Sequence, residues 1–79
     1  MARAFRTGNY SVYVWNERAE RHHRAHGHVY LGRSRIASVY LETLTVYDDR
    51  QRLPRHLLAR IEEEQDALLR LWMELNPDG

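Results

Sequence analysis

Cysteine is absent from this 79-residue chain, so neither a disulfide nor a thiolate zinc site is there to hold a small fold together. Lysine is absent as well. All twelve basic residues are arginine, a bias that a GC-rich coding sequence explains more simply than selection for planar, bidentate phosphate contacts. No apolar run approaches the roughly 20 residues of a membrane-spanning helix, and no leader-like segment opens the chain. The cytoplasm is therefore the expected location, with no membrane partner. Internal repeats and low-complexity segments are also lacking. The length predicts one domain over residues 1–79, near the lower limit of what folds alone, and no second domain is expected. With so little core, packing is expected to be completed by a homodimer or by a cognate protein partner.

What is present is unevenly placed. Residues 1–35 hold seven arginines against two acids, and residues 36–79 hold five against nine. One surface suited to phosphate and another suited to a basic partner or to water would account for this division.

The element pattern predicts an α+β fold, a small antiparallel sheet of three to four strands packed on one long C-terminal helix. Residues 1–9 read as a basic lead-in with Arg3 and Arg6, closed by the turn triplet Thr7-Gly8-Asn9. Tyr10 to Trp15 alternates, with Val12 and Val14 on one face and Ser11, Tyr13 and Trp15 on the other. Asn16 to Ala25 has no apolar period and reads as a solvated connection. His26 to Leu31 is a second strand, in which His26, His28 and Tyr30 share a face and Gly27 leaves a gap in the opposite one. A loop of about four residues, Gly32 to Arg35, leads to a strand from Ile36 to Leu41. A break near Glu42 and Thr43 precedes further extended chain to Tyr47. Pro54 then opens a helix whose stripe, Leu57, Leu58, Ile61, Gln65, Leu68, Leu69, Trp72 and Leu75, recurs at helical spacing to Leu75.

Four of the five histidines fall between Arg21 and Leu31, which makes RHHRAHGHVYL the place for chemistry. Three readings fit it. His22, His26 and His28 with Glu17 or Glu20 offer metal ligands, but no His-Glu-x-x-His spacing occurs, and no metal or cofactor is assigned. His26 and His28 beside Tyr30 offer an acid and a base for cleaving RNA, with Arg21 and Arg24 to stabilise phosphorane charge. In the third reading the histidines are polar strand residues without chemistry. Arg33 and Arg35, with Tyr13, Trp15 and Tyr30, add the mix of cations and aromatic platforms that single-stranded nucleic acid uses. Trp72 and Met73 read as core or as a partner-facing helix end.

Gly8-Asn9-Tyr10, His26-Gly27-His28-Val29, Ile36 to Leu41 and Leu68-Leu69-Arg70-Leu71-Trp72 together resemble a family of small bacterial proteins known only as a domain of unknown function, DUF four-one-six-zero. The resemblance covers nearly the whole chain. It departs at Gly27, where the family usually has Val, and at His23-Arg24-Ala25, which replaces a usual Pro-Pro. Family genes often sit beside a small partner gene, which implies a toxin-like role with an antitoxin-like partner. The combined expectation is a toxin-like component acting on RNA, with His26, His28 and Tyr30 at the site and Arg21, Arg24, Arg33 and Arg35 gripping phosphate. The alternative is a non-enzymatic module that docks a partner through Trp72 and the sheet edge.

Overall fold

The computed structural model describes residues 2–15 and 24–77. Five strands, β1 (Ala2–Thr7), β2 (Tyr10–Val14), β3 (His26–Leu31), β4 (Ser34–Tyr40) and β5 (Val46–Tyr47), form one antiparallel sheet in sequence order. Two helices follow, α1 (Arg55–Glu63) and α2 (Gln65–Leu75). The fold is thus α+β, as expected, with more strands and a broken helix.

The extra strand is β1, in the segment expected to be a lead-in. Its Arg-x-x-Arg spacing does not match the two-residue period of a strand, and a register shift between Arg3 and Phe5 resolves the mismatch. Ala4 is the additional residue, and Phe5 turns into the core opposite Val12. A second shift, between Val29 and Tyr30, makes Ile36 the additional residue of β4.

Both outer hairpins turn through two residues. Thr7 pairs with Tyr10 around Gly8-Asn9, and Leu31 pairs with Ser34 around Gly32-Arg33, so the expected four-residue loop is shorter and Ser34 and Arg35 belong to the strand. Gly8 and Gly32 have φ of 59° and 62°, the left-handed first position of a turn whose twist matches that of the flanking strands. The turns lie side by side, since the Gly32 N–H donates to the Asn9 carbonyl at 3.0 Å.

One face of the sheet is apolar. Val12, Val14, Val29, Ala37 and Val39 are buried there, and Leu57 and Ile61 of α1 and Leu68 of α2 join them in one core. The helical stripe is continuous in sequence, but Glu64 leaves the helix at ψ 6°. The next side chain supplies the reason: Gln65 Nε2 donates to the Leu41 carbonyl at 2.7 Å and to that of Glu42 at 3.2 Å, satisfying backbone acceptors where β4 ends. The expected break near Glu42 and Thr43 is present as the turn that separates β4 from β5. Pro54 is the N-cap, with extended backbone, so the helix starts one residue later than expected. From Gln65 beside β4, α2 passes to Asn76, whose side chain donates to the Trp15 carbonyl at 3.0 Å just beyond β2. The second helix thereby reaches across the sheet end opposite the hairpin turns. Among the described residues no helix is long and apolar enough to cross a membrane.

The two glycine environments make opposite demands. A Cβ on Gly27 would sit 3.4 Å from the Tyr13 carbonyl oxygen and 3.5 Å from Val12 Cγ1, in ordinary contact. Gly27→Ala is expected to raise stability by about 0.4–1 kcal/mol by restricting the unfolded chain. Gly32→Ala is expected to lower it by about 1–2 kcal/mol through left-handed strain. Urea unfolding midpoints of the two variants, compared with that of the wild type, check both signs.

Candidate nucleic-acid interface

Directly paired residues of antiparallel strands put their side chains on the same face, so the register defines the surface opposite the helix-covered core. One row across the sheet reads Arg6, Ser11, Tyr30, Arg35. The next reads Arg3, Tyr13, His28, Ser38, Tyr47, and beyond it His26 pairs with Tyr40. Both register shifts act on this face. Arg3 and Arg6 are three residues apart, as are Arg35 and Ser38, and neither pair would share a face on a regular strand. The five strands contain no aspartate or glutamate.

Aromatic rings fill the middle of the surface. Tyr13 meets Tyr30 edge to face at 5.2 Å, and Trp15 lies 4.4 Å from the His28 ring and 6.5 Å from Tyr30. Tyr40 and Tyr47 stack at 4.2 Å, and the Arg24 guanidinium sits 4.4 Å above the Tyr40 ring, a cation on an aromatic face. Tyr13, Trp15, Tyr30, Tyr40 and Tyr47 are all half-buried, whereas Arg3, Arg6, Arg24, Arg33 and Arg35 are exposed. The arrangement is a plane of partly accessible rings bordered by guanidinium groups.

The two strand histidines lie beneath this layer. His26 and His28 meet edge to face at 5.0 Å and are only 8% and 6% exposed. His26 Nδ1 donates to the Arg24 carbonyl at 2.7 Å, which fixes its tautomer, and the ring lies 5.0 Å from that of Trp72. His28 Nδ1 is hydrogen-bonded to Ser38 Oγ at 3.2 Å. Both imidazoles are packed and oriented by their neighbours, an arrangement suited to supporting the aromatic layer. Trp15 Nε1 is buried with no hydrogen-bond partner, an uncompensated donor at the edge of the same cluster.

The structure therefore brings His26, His28, Tyr30 and Arg35 onto one face, with Arg24 beside them and Arg33 in the adjoining turn. Arg21, His22, Glu17 and Glu20 lie outside the described residues. Among the described residues, no three histidine, cysteine or acidic side chains are gathered to hold a metal. Trp72 is buried against His26, so it offers no docking surface, while Met73 next to it is 68% exposed. Arg3 and Arg6 are the site residues that sequence reasoning missed. The signal was their spacing of three beside Phe5, which becomes informative only once a bulge is allowed.

Comparison with family models, with curated proteins and with solved structures gives no match.

The helix end and the aromatic face are held together by Asn76, whose Nδ2 donates to the carbonyls of both Trp15 and Trp72. Asn76→Ala leaves these acceptors without that donor and is expected to cost about 1–3 kcal/mol. The loss should appear as a lower thermal midpoint together with a changed tryptophan emission spectrum, because Trp15 is at the joint.

Proposed function

We propose that this protein binds single-stranded RNA on the aromatic face of its sheet and acts as the toxin-like component of a bacterial toxin-antitoxin pair in the cytoplasm. The observation that carries the RNA-binding part is the union of partly exposed tyrosines with arginines on a strand surface free of carboxylates. Bases stack on tyrosine and tryptophan whatever their sequence, and arginine neutralises the phosphates between them. In this reading Tyr13 and Tyr30 stack bases and Arg24, Arg33 and Arg35 hold phosphate, with Arg21 proposed as a further phosphate contact from its place in the sequence. The toxin role and a cognate antitoxin-like partner rest on the family resemblance of the four sequence motifs.

Burial favours a supporting role for His26 and His28 over acid-base chemistry on a phosphodiester. A catalytic imidazole has to come within hydrogen-bond reach of the proton it moves, and these two rings are covered by other rings. Ribonuclease action by His26, His28 and Tyr30 is the second reading, favoured by the one feature that two imidazoles are adjacent on a face with arginines.

Variants that keep the packing separate the two. Replacing His28 and Ser38 together, as His28→Phe with Ser38→Ala, removes both partners of this buried hydrogen bond rather than one. Induced expression in a bacterial host is expected to arrest growth for the wild type and for this double variant alike. Arrest is expected to be relieved by Tyr30→Ala, which should weaken RNA binding by about 1–3 kcal/mol through lost stacking. Fragmented cellular RNA with the wild type, and intact RNA with a folded His28→Phe, Ser38→Ala protein, would assign cleavage to the histidines. Unimpaired growth with the wild type would remove the toxin role.

A further inference from the structure

We infer that RNA crosses the sheet at right angles to the strands along the row Arg6, Ser11, Tyr30, Arg35, with Arg6 and Arg35 each holding a phosphate and Tyr30 stacking a base between them. The inference rests on the RNA-binding reading above and adds a path and two clamps to it.

The row runs through four strands, so its two arginines stand about 14 Å apart at about 4.8 Å per strand gap. Each arginine is placed by regular pairing next to a two-residue turn, Arg6 opposite Ser11 and Arg35 opposite Tyr30. The bulges lie on the other side of the row, at Ala4 and Ile36, and absorb one residue each, so that Arg3 shares the face with Arg6, and Ser38 and Tyr40 share it with Arg35. Arg6 is anchored by its Nε donating to the Gly8 carbonyl at 3.0 Å, which orients the guanidinium and limits the entropy lost when it meets a phosphate. Neither Arg6 nor Arg35 is in an ion pair with a described residue, where Arg60 with Glu64 is the guanidinium-carboxylate pair present. The charges are thus left uncompensated on a surface with no strand carboxylate, which is what an anionic polymer requires.

The competing explanation is that charges on strand margins guard them against pairing with other chains. Arg3 and Arg6 are on the edge strand β1, and β5 covers β4 only at Ser38 and Val39. The two explanations differ in what salt does to RNA affinity.

The experiment measures binding of a fluorescent oligouridylate by the full chain across a salt series, for the wild type, Arg6→Gln, Arg35→Gln, the double variant and Arg70→Gln. Arg70 is exposed on α2 and outside the row. Each clamp removed is expected to reduce the slope of log affinity against log salt by about 0.7, and the pair by about 1.4, since single strands release about that many counterions per neutralised phosphate. Arg70→Gln is expected to leave the slope unchanged, and Arg6→Lys and Arg35→Lys to restore it. An unchanged slope in both Gln variants, with binding still lost in Tyr30→Ala, would overturn the path while leaving RNA binding on this face in place. Self-association of the double variant with an unchanged slope would assign the arginines to edge protection. A wild-type protein with no salt-dependent affinity for the oligonucleotide would overturn both the path and the reading beneath it.

Discussion

A β-strand offers a given face only to every second residue, and the rest of this structure follows from how the chain meets that constraint and twice escapes it. Where the alternation is regular, from Tyr10 to Val14 and from His26 to Val29, it divides valines toward the helices from rings toward the opposite surface. Where it is irregular, at Ala4 and Ile36, one extra residue is absorbed, so that Arg3 shares the ring side with Arg6, and Ser38 and Tyr40 share it with Arg35. Charge and aromaticity are thereby sorted by the pleat. The sheet carries cations without acids, and the acids of the described chain are left to the turns and helices.

Much of this was legible in the residues. The alternation of Tyr10 to Trp15, the shared face of His26, His28 and Tyr30, and the helical recurrence from Leu57 to Trp72 are local signals that survive into the fold. The gap opposite the histidines is real too, for the Tyr13 carbonyl oxygen lies 3.4 Å from where a Gly27 side chain would begin. The strand at Ala2–Thr7 was hidden because period-two reasoning rejects two arginines three apart, and a bulge is a property of the pair of strands. The helix break at Glu64 was hidden for a similar reason. Neither proline nor glycine marks it, and its partners at Leu41 and Glu42 are more than twenty residues earlier. Burial of the two imidazoles was also beyond a local reading, since the rings that cover them come from Trp15 and Trp72 at separate places in the chain.

The histidine cluster shows how burial changes the meaning of a motif. Four histidines near two arginines describe a reactive stretch when read as a string. In the fold, His26 is tied to the backbone of Arg24 and packed on Trp72, while His28 is tied to Ser38 and packed on Trp15. Both imidazoles are fixed in place by these contacts. The groups that remain accessible are the phenol rings and guanidinium groups one step above them.

The contact between Asn76 and Trp15 spans 61 residues of sequence, whereas each hairpin closes over two. Local turns form early because little chain entropy is lost in closing them, and a loop of that length closes late. The aromatic face therefore joins contacts of very different sequence separation. Its tyrosine rows are set by neighbouring strands, but the tryptophan end, where Trp72 packs on His26, depends on the last helix returning to the second strand.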